Sequence, residues 1–167
     1  WENSTMSMRA YARWDSEYLY VLARVNDQIH LNRQTGNSIW NGDAIQISID
    51  GANDKTAAYK EGDYEYGFAL TDHGQESEAW YGGNEAFENM EFKIVRNEDE
   101  KMTYYLMKFP KAAVSPLELK KGSVFGMNLV IADCDYISRD RFEELTYGTA
   151  YTKSPSYYYD WYIKGNE

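Results

Sequence analysis

Trp40 stands in a loop that is otherwise polar, Thr35-Gly36-Asn37-Ser38-Ile39-Trp40-Asn41-Gly42. A Trp so flanked is poorly explained as ordinary core, and the chemistry open to it is stacking. A pyranose offers apolar C–H faces to a flat ring and hydroxyl-lined edges to amides and carboxylates. Two side chains fit the second requirement. Gln46 lies opposite Ile45, Ile47 and Ile49, and Asn128 lies opposite Phe125, Met127, Leu129 and Ile131. If the apolar sides meet in a core, Gln46 and Asn128 line an outer face where hydroxyls can reach them. Competing roles stay open: Trp40 as a lid over one end of the core, Gln46 as a solvated strand residue. Trp80-Tyr81, in a glycine-flanked loop, suits either a wider binding surface or a staple for that loop. Tyr151, Tyr157, Tyr158 and Tyr159 read first as edge-strand packing, Trp14 as core at a hairpin turn, and Trp161 as structural.

Acidic loops raise the question of calcium, which takes about six to eight oxygen ligands. Asp50, Asn53 and Asp54 could gather around one loop, and Asp133, Asp135 and Asp140 around another; neither set has the EF-hand spacing. Solvated acidic loops are the alternative. His30, His73 and Cys134 are too scattered to suggest zinc. Catalysis has little support, since Gly-x-Ser-x-Gly, His-Glu-x-x-His, phosphate-loop and dinucleotide motifs are all absent, and we expect no enzyme. Cys134, the only cysteine, permits no intrachain disulfide and reads as a small core residue.

These residues need elements to hold them. Period-two alternation dominates the chain. Ser7 to Arg13 and Leu19 to Val25 read as a hairpin. Ala44 to Asp50, Tyr64 to Leu70, Met90 to Val95, Met102 to Phe109, Val124 to Ala132 and Tyr158 to Ile163 repeat the strand pattern. Loops are expected at Asn32 to Gly42, Gly51 to Asp63, Thr71 to Asn89 and Asp133 to Arg141, with a short helical turn near Pro110 to Val114 that Pro116 ends. Many short strands in 167 residues predict one all-β domain over residues 1–167, a two-sheet antiparallel sandwich. With 16 tyrosines and 5 tryptophans, 16% aromatic overall, many rings should sit half-exposed. Seventeen basic and 27 acidic residues give a net charge of −10, which argues against nucleic acid and anionic lipid as partners. No apolar run approaches the ~20 residues that cross a bilayer, so no membrane insertion is expected.

The run Trp14-Asp15 followed by Tyr18-Leu19-Tyr20-Val21-Leu22-Ala23-Arg24-Val25-Asn26-Asp27 resembles the opening hairpin of the family 9 carbohydrate-binding modules. So does Trp40-Asn41-Gly42-Asp43-Ala44-Ile45-Gln46-Ile47-Ser48-Ile49-Asp50, with Asn53-Asp54-Lys55-Thr56 and Tyr59 after it. Phe125-Gly126-Met127-Asn128-Leu129-Val130-Ile131-Ala132-Asp133 is similar to the family's late strand. The likeness runs over roughly residues 6 to 163. The family's isoleucine-aspartate-glycine first strand does not precede Trp1, so that strand is expected to be missing from this chain.

The resemblance implies non-catalytic binding of glucan or xylan, or their chain ends, through two aromatic rings that clamp the sugar. Trp40 falls on one clamp position; the other lies between Tyr147 and Tyr157, where Tyr151 is the nearest aromatic. Gln46 replaces an expected glutamate, which keeps an acceptor but loses the charge-assisted bond. Gly67 falls where an arginine is expected, so that contact is absent. The resemblance also implies structural calcium, an extracellular or cell-surface bacterial setting, and other domains in a longer chain. Sandwiches similar to this one also occur as haem b electron-transfer domains, which makes Met107 or Met127 with His30 or His73 the alternative ligand set; no haem is expected, methionine at strand spacing being commonly core filler. A module that docks another domain is a third reading.

Overall fold

Alternation of apolar and polar residues fixes which face of each strand turns inward. The computed structural model describes residues 6–136, 141–144 (backbone) and 153–165. Within them β1 (Ser7–Trp14), β2 (Tyr18–Asn26), β7 (Met102–Pro110) and β6 (Glu91–Asn97) form a four-stranded antiparallel sheet in the order β1-β2-β7-β6. A six-stranded antiparallel sheet faces it, ordered β10-β8-β3-β4-β5. It comprises β3 (Ala44–Asp50), β4 (Asp63–Thr71), β5 (Gly74–Tyr81), β8 (Val124–Asp133), β9 (Arg141–Glu144) and β10 (Tyr159–Tyr162). The predicted sandwich is therefore present. β8 has β3 along one side; its other side is shared in tandem, Val124 to Met127 with β10 and Val130 to Asp133 with β9.

The core lies between the sheets. Ile45, Ile47 and Ile49 from β3, Phe68 from β4 and Met127, Leu129 and Ile131 from β8 meet Leu19, Val21, Tyr105, Met107 and Phe109 from the other sheet. Rings interlock there: Tyr66 stacks on Phe87 with centroids 4.2 Å apart, and Phe68 meets Phe109 edge-on at 5.9 Å. Met107 and Met127 are part of this packing, at 3% and 0% exposure.

Two strands differ from the sequence expectation. The segment assigned to a loop from Thr71 to Asn89 contains β5 and a four-residue helix, α1 (Glu85–Glu88). β5 reads Gly-Gln-Glu-Ser-Glu-Ala-Trp-Tyr, polar on both faces for most of its length, so it carries little apolar alternation. A tight turn, with Thr71 paired to Gly74 and Gly74 at φ +122°, folds it back on β4, and it ends the sheet order as an edge strand. Trp80 and Tyr81 accordingly end a strand and are not loop residues. β9 is the second addition, beginning at the last residue of the loop expected from Asp133 to Arg141. The helical turn expected near Pro110 is a 3-10 turn, Lys111–Val114. Both structural tryptophans are partly buried: Trp14 Nε1 donates to the Lys164 carbonyl at 2.9 Å, and Trp161 Nε1 donates to that of Met127 at 3.2 Å.

Candidate functional site

Trp40 belongs to a 3-10 turn, Gly36–Asn41, that leads into β3. The turn is pinned from three sides. Asn32, 2% exposed, donates from Nδ2 to the carbonyls of Ile39 (2.9 Å) and Asp43 (3.0 Å), and its Oδ1 accepts from Gln34 N. Glu76 Oε2 accepts from Gly36 N at 2.7 Å, and Trp80 Nε1 donates to the Asn37 carbonyl at 3.1 Å. Gly42 is required beside Asn32, because an added Cβ would come 2.4 Å from the Asn32 side chain. Ile39 is fully buried against Ala44 and Ala69 on the outer face of the six-stranded sheet, with Trp80 packed on the same small cluster. Its neighbour Trp40 is 38% exposed. The turn thus divides the two roles, with Ile39 anchoring it on the outer face of the six-stranded sheet and Trp40 turned to the surface.

From this turn, the outer face of the six-stranded sheet carries the polar residues read from the sequence. Gln46 pairs across to Gly67 on β4 and Val130 on β8; one rung on, Ser48 pairs to Glu65 and Asn128. Trp80 lies over Gly67, so Gln46, Asn128 and Trp80 share one face and Trp40 stands at its end. That face is not open to solvent: Gln46 is 6% exposed and Asn128 0%. The solvated-strand alternative for Gln46 is therefore wrong. Tyr151 lies outside the described residues. Tyr157 is exposed at 45%, while Tyr158 is buried.

Three side chains on this face were not singled out as site residues from the sequence. Tyr59 donates its hydroxyl to Ser48 Oγ at 3.0 Å and lies 3.0 Å from the Tyr158 hydroxyl, and burial raises both phenol pKa values. Glu65, 3% exposed, has the Lys153 ammonium 3.7 Å from Oε2; burial raises its carboxyl pKa. Glu65 and Ser48 were accessible by extending the period-two face from Gln46. Tyr59 lies in a loop with no such period.

The acidic groups divide sharply. Asp50, 0% exposed, accepts backbone N–H bonds from Asp54 (3.2 Å) and Lys55 (3.0 Å), Asp54 pairs with Lys60, and Lys55 pairs with Asp160 at 2.8 Å. Its carboxylate oxygens, with that of Asp54, are thus used within the loop. Asp133 and Asp135, in contrast, meet Asp27, and the three carboxylates lie within 4.8 Å of one another. Asp140 is outside the described residues. Asp27 follows β2 and Asp133 ends β8, so the cluster joins the two sheets. Asp27 Oδ1 accepts from Ile29 N at 3.3 Å, but Oδ2 is buried with no hydrogen-bond partner. Burial, then the Asp133 charge, pushes the Asp27 carboxyl up to about 6.

Beside it, Asp43 accepts from Leu31 N (2.6 Å) and Cys134 N (2.7 Å), and burial pushes its pKa up to about 8. His30 places Nδ1 3.5 Å from Asp43 Oδ2 and shares a hydrogen bond of 2.9 Å between Nε2 and the Leu70 carbonyl; burial lowers its pKa. Burial thus favours the neutral form of both partners.

A family model for "Carbohydrate family 9 binding domain-like" matches residues 1–158. The chain belongs to this family. Over 65 residues, 39% of the chain, it is 40% identical to endo-1,4-beta-xylanase A of Thermotoga maritima. Over 53 residues, 32% of the chain, it is 42% identical to exoglucanase XynX of Acetivibrio thermocellus. These matches span only 6% and 5% of the two relatives. A family 9 module from Caldicellulosiruptor kristjanssonii in complex with cellotriose superposes with a TM-score of 0.81 at 18% identity, covering 99% of this chain and 78% of that one. The same organism's module with glucose gives 0.80 at 18% identity, covering 99% and 80%. At this identity the likeness establishes a shared fold.

Proposed function

We propose that this family 9 domain binds plant-type glucan or xylan, or their chain ends, without catalysis, by stacking sugar on the Trp40 indole. The observation that carries the proposal is the division of labour in the 3-10 turn: Ile39 anchors the turn on the outer sheet face, leaving Trp40 outward at 38% exposure on a rigidly pinned backbone. Holding the ring in advance lowers the ordering cost of stacking. Trp80, already over the neighbouring sheet face, is the nearest described candidate for a second ring. Gln46 and Asn128, at 6% and 0% exposure on the neighbouring covered face, support the sheet beneath this surface rather than reach a hydroxyl themselves. A shallow site of this kind suits about −4 to −8 kcal/mol, millimolar to micromolar affinity. The sugars in the two structural neighbours support the ligand class, and the enzyme names of the relatives belong to proteins in which the matched segment is a small part. We read the domain as a targeting module of a longer extracellular or cell-surface bacterial protein. Calorimetry with cellotriose and xylotriose tests this: the parent should bind one of them and Trp40→Ala neither. Equal binding by both proteins would overturn the assignment.

A calcium ion at Asp27, Asp133 and Asp135 is a second proposal, favoured by the buried, unpartnered Asp27 Oδ2. Three carboxylates gathered in low dielectric repel one another, and a divalent cation offsets that cost while supplying the missing partner. Calcium here would tie the end of β8 to the end of β2.

A further inference from the structure

The outward side chains of the four-stranded sheet form cross-strand rungs. One runs Arg13–Tyr20–Lys108–Glu91, the next Tyr11–Leu22–Leu106–Lys93, and the third Arg9–Arg24–Tyr104–Val95. These twelve positions hold five cations (Arg9, Arg13, Arg24, Lys93, Lys108) and one acid, Glu91, on a chain whose net charge is −10. Glu91 already pairs with Lys108 at 2.7 Å. Among the described residues Arg9, Arg13 and Lys93 make no ion pair.

The Arg9–Arg24 pair breaks a local rule. Like charges directly opposite on neighbouring strands repel, and among the described residues neither arginine makes an ion pair to relieve it. Arg24 Nε is buried with no acceptor, and the guanidinium leans over the Tyr104 ring at 5.6 Å. A cavity of about 140 Å3 opens there, lined by Ser7, Arg9, Arg24, Asn26 and Met102. Beside it runs a groove of about 720 Å3 whose floor includes Tyr11, Leu22 and Leu106, with Tyr11 48% and Leu106 45% exposed. Two guanidiniums in a small cavity are suited to a carboxylate, which they bind by paired charge-assisted bonds. The aromatic and aliphatic groove beside them suits the apolar face of a sugar ring.

We propose that this sheet face is a second binding surface, remote from Trp40, for a glycan bearing uronic acid carboxylates, with Arg9 and Arg24 holding the carboxylate and Tyr11 the ring. Size separates a glycan from an acidic protein partner. Four strands about 4.8 Å apart and three rungs give a face about 14 Å on a side, roughly 200 Å2 in projection. A stable protein interface takes about 800 Å2 per partner. An oligosaccharide fits the smaller area.

The test is calorimetric titration at low ionic strength, in EDTA, with oligogalacturonate, its methyl ester and poly-L-glutamate. The parent should bind the acid form, with the ester at least tenfold weaker. Arg9→Gln with Arg24→Gln should lose at least tenfold while keeping the parent melting temperature or raising it, since a repulsion is removed. Trp40→Ala should bind like the parent. Absence of binding, equal affinity for the ester, unchanged affinity in the arginine variant, or loss in Trp40→Ala each overturns the proposal. Polyglutamate binding as tightly overturns it in favour of an acidic protein surface. Amide shifts in the parent on titration provide a check independent of any variant: they should centre on Arg24, Tyr104 and Leu106, and a centre elsewhere defeats the assignment.

Discussion

The Trp80 indole fills the space above Gly67 so closely that a Cβ added at Gly67 would sit 2.2 Å from Trp80 Cη2. Any side chain at position 67 must move the ring, and with it the hydrogen bond to Asn37 that steadies the Trp40 turn. Gly67→Ala should therefore cost about 1–3 kcal/mol, the usual range for overpacking. In Trp80→Ala the same substitution should cost less. Chemical denaturation of both single variants and the double variant measures the coupling; additive effects would disprove the contact.

Adjacent residues in the 3-10 turn should separate stability from binding. Ile39→Ala removes a fully buried side chain and should cost about 2–5 kcal/mol. Trp40→Ala should stay within about 1–2 kcal/mol of the parent yet abolish retention in a cellulose or xylan affinity gel. A collapse in stability for Trp40→Ala would make the ring a lid.

Calcium binding at Asp27, Asp133 and Asp135 predicts a melting temperature that falls in EDTA and recovers on adding calcium. The gain grows with concentration by mass action, about 2.7 kcal/mol at a hundredfold excess over Kd. Asp27→Asn should abolish the response. A melting temperature indifferent to calcium would remove the proposal.

Without calcium, Asp27 and its neighbour Asp43 make stability depend on pH in a definite direction. Asp27 and Asp43 hold protons in the folded chain up to about 6 and about 8, against an ordinary value of 3.8. These two carboxyls bind more protons in the folded state and outnumber the opposing His30, whose lowered pKa works the other way below its ordinary value, so stability falls as pH rises between 4 and 8. Asp27→Asn keeps the acceptor for Ile29 N and removes the charge, so it should flatten the part of the profile between pH 4 and 6. Urea midpoints across pH 4 to 8 in EDTA would check this. A midpoint that rises over that range would contradict it.

How much of this was legible in the sequence followed from how strongly burial marks a pattern. β3, β8 and the β1–β2 hairpin alternate between a core face and another face, so their inward residues, Ile45 and Met127 among them, could be assigned from spacing. β5 could not, because Gln75, Glu76, Ser77 and Glu78 leave neither face apolar. Gln46 and Asn128 were placed on the correct side of their strands, yet spacing does not reveal that this side is covered. Asp133 and Asp135 were visible as an acidic pair; Asp27, 106 residues before Asp133 in number, joins them only because β2 and β8 end at the same pole of the sandwich. The Arg9–Arg24 contact has the same origin in strand register.

The polar composition that hid β5 also has a consequence for the behaviour of many copies together. An outermost strand presents unpaired backbone groups that can template pairing with another molecule, and ionised side chains oppose such stacking. Glu76 and Glu78 guard the margin at β5, as Glu91 and Lys93 do at β6. Neutralising Glu78 with valine should therefore convert a clear concentrated solution into one that slowly forms cross-β aggregates, even with the interior of each molecule intact.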